Sequence, residues 1–331
     1  MKKKILIIAT GGTIVSKNSD EGLTPAITAE GICSLITDLA ESYEITTKDL
    51  FNLDSSNIQP EEWQIIAQSI YENYKSYDGI VITHGTDTMA YSAAAISYML
   101  RNIPIPIVFT GSQLPILHKL TDALENLRCA LAMAGSGCPG VYVAFDRKIM
   151  LGCRTVKTHT KNFYAFESIN YDNIAEVNSN GLNINYNMVR KPEGDLIYKN
   201  NICTDVFLLK LIPGTDPKIF DLLLKYGYKG IVIEAFGLGG LHFLRRDLVK
   251  KVEELINNDI PIIACSQCLY EKSDFSVYQT GKKLLDKGVI PGGDMTSESA
   301  VTKLMWALGQ TNDINEIRNI FATNYVGEIT L

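Results

Sequence analysis

Lys4-Ile5-Leu6-Ile7-Ile8-Ala9-Thr10-Gly11-Gly12-Thr13-Ile14 is the stretch that decides the fold. An apolar, β-branched run without polar alternation describes a strand covered on both faces, as in parallel sheets flanked by helices. The plan recurs at Gly79-Ile80-Val81-Ile82, followed by Thr83-His84-Gly85-Thr86-Asp87-Thr88. In an open parallel sheet, ligands bind outside the carboxyl ends of the strands. The two turns therefore bring hydroxyls, closely approachable glycine backbone and a carboxylate to the rim where such a sheet delivers its chemistry.

Working outward, similar runs at 4–10, 79–83, 105–110, 140–145, 206–211, 230–236 and 260–265 alternate with helical patterns. A helix is expected over 60–77, where Trp63, Ile66, Ala67, Ile70, Tyr71 and Tyr74 recur at helical spacing. Pro60 suits its first turn, Glu61 and Glu62 favour its positive end, and Asp78-Gly79 stops it. A second, Ala- and Ser-rich helix is expected over 88–101, its N-terminal amides facing the Thr86-Asp87-Thr88 turn. Residues 178–203 are Asn-rich and irregular, and their later part reads as a linker. The expected architecture is α/β: a larger N-terminal domain (1–185) with a doubly wound, mostly parallel sheet, a linker (186–205) and a smaller C-terminal α/β domain (206–331).

At 331 residues the chain is long enough for two domains. A net charge of -6 argues against a broad nucleic-acid surface. No stretch approaches the roughly 18 apolar residues of a membrane span. The basic start, Met1-Lys2-Lys3-Lys4, leads into an apolar run too short for a signal peptide and without a small-residue cleavage site. Seven scattered cysteines read as reduced thiols, and the expected compartment is the cytoplasm. The lone Cys265-Ser266-Gln267-Cys268 pair is better read as a strand end than as a redox or zinc motif.

Several residues qualify for chemistry. Thr13 follows Gly11-Gly12, whose neighbourhood can present amides to a substrate oxygen. Taken alone, the turn is better read as a glycine-rich turn with an N-capping threonine than as a nucleophile; it lacks the GxGxxG and GxxxxGK[ST] patterns of phosphate loops. Asp87 can hold an ammonium or cap the following helix. Lys157, in Arg154-Thr155-Val156-Lys157-Thr158-His159, suits a base if buried and a surface lysine if not. Asp54-Ser55-Ser56-Asn57 can bind a carboxylate or simply turn the chain. Thr110-Gly111-Ser112-Gln113 ends another strand and extends the same polar rim. Polar residues 15–25 suit a mobile lid or a plain surface loop. There is no GxSxG elbow, and His84, His118, His159 and His242 show no metal-ligand spacing, so no catalytic metal is expected.

Taken together, Thr10–Ile14 and Thr83–Tyr91 (THGTDTMAY) resemble the two signature segments of the bacterial-type L-asparaginase family. The likeness extends to Thr110–Gln113, Phe166–Tyr171, Gly293–Thr296 and Lys303–Trp306, and runs end to end. Without a leader, the chain resembles the cytoplasmic, type I branch. The resemblance implies hydrolysis of L-asparagine to L-aspartate and ammonia with no cofactor. It makes Thr13 the nucleophile and groups Thr86, Asp87 and Lys157 as a second constellation assisting proton transfer or water attack. Ser55 and the Asp54 turn would bind the substrate α-carboxylate and Asp87 its α-ammonium, with Gly12 and Thr86 amides at the oxyanion. If Asp87 pairs with Lys157, use of the lysine as a base becomes harder. The resemblance also implies a homodimer or homotetramer, with Glu234 and Gly237-Leu238-Gly239-Gly240 completing a neighbouring site. One departure stands out: Leu23 occupies the lid position where many members carry a tyrosine.

Three other readings are kept. An ammonia-releasing subunit of a tRNA-dependent amidotransferase would carry a further domain before the TGGT motif, which here begins at Thr10. An asparagine-binding sensor would need Asp87 and Ser55 but not Thr13, Thr86 and Lys157 together. A glutamine-leaning enzyme differs in its substrate by one methylene, worth only about 1–3 kcal/mol in a pocket.

Overall fold

Uninterrupted burial of the first strand sets the frame: Ile5, Leu6, Ile7 and Ile8 are all within 2% of complete burial. The structure is a computed structural model describing residues 2–19, 22–25, 29–36 and 42–330. It divides into two compact units, Met1–Lys199 and Asn200–Leu331.

In chain order the first unit contains β1 (Lys3–Gly11), β2 (Ser16–Ser19), β3 (Gly22–Pro25), α1 (Ala29–Ser34), β4 (Tyr43–Leu53), α2 (Pro60–Asn73) and β5 (Gly79–Thr83). There follow α3 (Met89–Met99), β6 (Leu100–Arg101), β7 (Pro106–Thr110), α4 (Ala123–Ala134), β8 (Gly140–Phe145) and β9 (Lys148–Leu151). It ends with β10 (Thr155–Lys157), β11 (Phe166–Ser168), β12 (Ala175–Asn178), β13 (Gly181–Ile184) and β14 (Ile197–Tyr198).

Strands β4, β1, β5, β7 and β8 lie side by side and parallel, and β9, β12 and β13 extend the sheet antiparallel beyond β8. From β1 the chain passes to β4 on one side and then returns to β5 on the other. This reversal opens a crevice at the carboxyl end of β1, the position where open α/β sheets bind ligands. Every residue of β5 and β7 is buried. So are Met89 and Ala90 and all of Ser92–Met99 on α3, whose Ala and Ser side chains permit close packing. Each large core side chain contributes about 1.5–3 kcal/mol relative to exposure.

The first expected helix ends at Asn73, short of Tyr77. Its Pro60 start and acidic first turn are as the sequence suggests, and the structure adds a capping box of Gln59 with Glu62. Tyr71 is exposed rather than core, and its ring stacks on Tyr198 at 4.4 Å. The second helix gives way at Leu100, where β6 pairs with β14. Part of the stretch read as linker is therefore strand belonging to the first unit. The start of the irregular region is also ordered, as the β12–β13 hairpin.

The second unit is a four-stranded parallel sheet in chain order: β15 (Val206–Lys210), β16 (Gly230–Ala235), β17 (Ile262–Ser266) and β18 (Ile290–Pro291). Five helices accompany it: α5 (Lys218–Lys225), α6 (Leu248–Ile256), α7 (Gln279–Asp286), α8 (Ser297–Leu308) and α9 (Ile314–Ala322). Phe220, Ile231, Ile233, Leu248, Val252, Ile262 and Leu284 form its core. Lys303 and Glu328, both fully buried, pair at 2.5 Å. Glu328 also accepts from the Tyr325 and Val326 amides, and Lys303 donates to Thr323 O, so the pair fixes the segment after α9. Among the described residues no helix is long and apolar enough to cross a membrane.

Candidate active site

Three turns meet at the crevice, and glycine makes their contact possible. A Cβ on Gly12 would lie 2.4 Å from Gly85 N, and one on Gly85 would lie 2.7 Å from Ser55 Oγ. Gly12 also has φ +86°, which disfavours any side chain. The end of β1 thereby meets the turn after β5 backbone to backbone, and that turn in turn rests on the Ser55 side chain after β4. Thr10 Oγ1 donates to Thr83 O at 2.8 Å and ties β1 to β5 beneath them.

Thr13 follows this contact directly and is half-buried. It opens a 3-10 turn, Thr13–Val15, so its N–H has no acceptor within the turn. The Gly12 amide, expected at an oxyanion, instead donates to Leu53 O at 3.0 Å. Gly12 serves the site through close approach.

On the β4 side, Asp54 caps the turn Ser55–Asn57: its Oδ1 accepts from Ser56 N at 2.8 Å and Ser56 Oγ at 2.6 Å. These bonds, the Ser56 hydroxyl first, hold the Asp54 carboxyl below its ordinary range. Ser55 is buried; its Oγ accepts from Asp87 N at 3.2 Å and its carbonyl from Thr88 Oγ1 at 2.7 Å. Having accepted one bond, the Ser55 hydroxyl retains a proton to donate.

On the β5 side, Thr86 is buried and Asp87 exposed. Lys157, at the end of β10, reaches both: its Nζ is 2.7 Å from Thr86 Oγ1 and 2.5 Å from Asp87 Oδ1. Pairing of Lys157 with the buried Phe166 on β11 anchors the lysine's backbone. The anticipated competition is thus present, with the Asp87 carboxylate already in contact with the ammonium.

The rim expected at 110–113 is turned inward. Thr110 and Ser112 are buried, their hydroxyls donating to Ala144 O and Leu114 O. Of that segment, Gln113 is the more accessible, its side-chain amide donating to Asn162 O at 2.9 Å. The stretch 15–25, expected as a lid or a surface loop, contains a hairpin, β2 with β3, in which Leu23 is registered opposite Asn18. Its tip, Asp20 and Glu21, lies outside the described residues.

Sequence reasoning attaches no role to His84. It is fully buried, with Nδ1 2.7 Å from Gly85 O and Nε2 2.9 Å from Ser92 Oγ. Trp63 Nε1 donates to the same Ser92 oxygen at 2.9 Å. Burial pushes the imidazole down to about 4, against a smaller opposing effect of the Gly85 carbonyl. Positions 63, 84 and 92 follow no common period, so no sequence signal joins them.

In the second unit, Glu234 accepts from Ser297 Oγ at 2.7 Å and pairs with Lys210 at 3.4 Å. Asp294 accepts from Thr330 N at 2.9 Å. Cys265 is buried and its thiol pushed up to about 12, chiefly by desolvation, while Cys268 is exposed. A redox motif requires a low thiol pKa, and Cys265 has the opposite.

Residues 4–190 match the family described as "Asparaginase, N-terminal", and 205–321 the "Glutaminase/Asparaginase C-terminal domain". The L-asparaginase of Thermococcus kodakarensis is 44% identical, covering 99% of each chain, and its solved structure superposes with a TM-score of 0.94. L-asparaginase I from Vibrio cholerae is 31% identical over 100% of each chain, with a TM-score of 0.90. A glutamyl-tRNA(Gln) amidotransferase subunit of Pyrococcus furiosus is 39% identical over 98% of this chain and 76% of that protein. With both halves matched and full-length relatives well above 30% identity, the chain belongs to the asparaginase family.

Proposed function

We propose that this protein hydrolyses L-asparagine to L-aspartate and ammonia through a threonine acyl-enzyme. The observation that carries the proposal is the Lys157–Thr86–Asp87 cluster on the same crevice as Thr13 and Ser55. In the first step, Thr13 Oγ bonds to the side-chain carbonyl carbon. Its proton passes to the leaving nitrogen and the C–N bond breaks, releasing ammonia. Water then bonds to the acyl carbon, a proton returns to Thr13 Oγ, and the ester bond breaks. Splitting the reaction in this way replaces one difficult step by two easier ones.

The Thr86 amide faces the developing oxyanion, joined by the Thr13 amide at the start of its turn. Such a donor is worth about 3–4 kcal/mol in the transition state. Ser55 donates to the α-carboxylate, while Asp54 shapes its turn. Asp87 receives the α-ammonium on its exposed side. Lys157 polarises the Thr86 hydroxyl, which guides the proton or the attacking water. No cofactor takes part. The free cysteines suit the cytoplasm, and the family resemblance favours a homodimer or homotetramer.

Ammonia release by the purified protein and its Thr13→Ala variant tests the reading. The expected result is asparagine turnover with a higher specificity constant than for glutamine, falling at least about a thousandfold in the variant. Comparable constants for the two amides would remove the preference, and full activity in Thr13→Ala would remove the nucleophile.

The P. furiosus relative favours a second reading, an amidotransferase subunit supplying ammonia to a partner. Rapid asparagine turnover by the isolated protein supports the free hydrolase; turnover appearing only with a partner and tRNA supports the amidotransferase role.

A further inference from the structure

His84 sits in a chain of hydrogen bonds whose direction is fixed at both ends. An indole N–H only donates and a carbonyl only accepts. Trp63 Nε1 therefore donates to Ser92 Oγ, and His84 Nδ1 must carry the proton given to Gly85 O. In the neutral ring Nε2 is then an acceptor, served by the Ser92 hydroxyl 2.9 Å away. The imidazole's pKa of about 4 keeps it neutral near neutrality, so this tautomer is the working one. Phe109 meets the ring edge-on at 5.9 Å, and the His84 backbone N–H donates to Thr110 O.

Gly85 O and Thr86 N–H belong to one planar trans peptide and point in opposite directions. A ring that holds the carbonyl inward directs the Thr86 amide outward. With no Cβ on Gly85, the flanking residue offers little steric resistance to rotation of this peptide. Its orientation thus depends on an external tie, and the Nδ1 bond of 2.7 Å supplies one.

We propose that His84 is a positioning residue for amide hydrolysis, the Trp63–Ser92–His84 chain locking the Gly85–Thr86 peptide so that the Thr86 amide meets the oxyanion. The inference rests on the asparaginase reading of the site. It assigns a role to three buried side chains that touch neither Thr13 nor Lys157 in the bonds described above.

Two near-isosteres separate this role from simple core filling. Asn places its amide near the Nδ1 position of histidine and can still donate to Gly85 O; Gln places its amide near Nε2 and keeps only the Ser92 side. Kinetics of ammonia release from asparagine would be measured for the parent, His84→Asn and His84→Gln, with thermal unfolding of each. The expected result is a kcat for His84→Gln lower by about 10²–10³-fold at nearly unchanged KM, as when an oxyanion donor is removed. His84→Asn should remain within about tenfold of the parent even if it unfolds at lower temperature. Equal losses in both variants, losses that track unfolding temperature, or no loss in His84→Gln would overturn the positioning role. A parent that does not turn over asparagine would instead overturn the reading of the site, and this inference with it.

Discussion

Lys157 and Thr86 lie 71 residues apart in sequence, yet the lysine Nζ stands 2.7 Å from the threonine hydroxyl. Replacing the ammonium by a neutral group of similar length isolates its contribution. Lys157→Met is expected to lower kcat by about 10²–10⁴-fold, the usual scale of proton-transfer assistance. Its fold should survive, because Asp87 is exposed and water can solvate the carboxylate left behind. The stability change is expected to stay within about 1 kcal/mol. Ammonia release and thermal unfolding of the variant check both halves; a retained parental rate would dismiss the lysine from the chemistry.

Asp87 is assigned the substrate ammonium, and a substrate lacking that group tests the assignment. Succinamic acid is asparagine without its amino group. The parent should prefer asparagine strongly, whereas Asp87→Ala should lose most of that preference, chiefly through the KM for asparagine. A charged hydrogen bond of this kind is worth about 1.5–3 kcal/mol, or roughly 10–150-fold. An undiminished preference in the variant would move ammonium recognition elsewhere.

Acid should weaken the protein partly through His84. Its pKa falls from 6.5 in the unfolded chain to about 4 in the fold, so the unfolded chain takes the proton first. This contribution to stability is complete above 6.5 and is lost as pH falls through 4. Linkage gives a loss of about 2 kcal/mol by pH 5 and about 3 kcal/mol below pH 4. Denaturant titrations at pH 7.5 and 5 should show a smaller pH penalty for His84→Asn than for the parent. Identical penalties would mean that His84 does not titrate between the two states.

The Lys303–Glu328 pair should be costly to halve. Both partners are fully buried, and Lys303→Met leaves Glu328 without its cation. The expected destabilisation of the second unit is about 3–5 kcal/mol. Adding Glu328→Gln should recover part of it, since the neutral amide leaves no unpaired buried charge and its single oxygen can still accept from one of the two amides, Tyr325 N or Val326 N. Chemical denaturation of both variants checks this; a double variant no more stable than Lys303→Met would show that charge is not the source of the loss.

What is legible in the sequence follows from burial. Strands β1, β5, β7, β8, β16 and β17 stand out because helices or neighbouring strands exclude water from nearly every position. β4 escapes notice for the opposite reason: Tyr43–Leu53 is an edge strand of partly exposed residues, with Glu44, Thr46, Lys48 and Asp49 along it. The β12–β13 hairpin hides in the same way, its asparagines reading as loop although Asn178 closes the turn by accepting from Asn180 N and Asn183 Nδ2. At the site, the turns holding Thr13 and Thr86–Asp87 are legible as strand ends. The inward rotation of Thr110 and Ser112, the commitment of the Gly12 amide and the His84 chain are not, because each is a choice of hydrogen-bond partner made only after distant strands pair.

The junction of Gly12, Gly85 and Ser55 also constrains when activity can appear during folding. Its members come from turns more than 25 residues apart in sequence, and none contacts the others until β4, β1 and β5 have aligned in register. Parallel pairings of this span close large loops and are intrinsically slow to form. On refolding from denaturant, helical signal should therefore return before turnover. The lag between them would time the docking of the central strands, making catalysis a built-in reporter of sheet assembly.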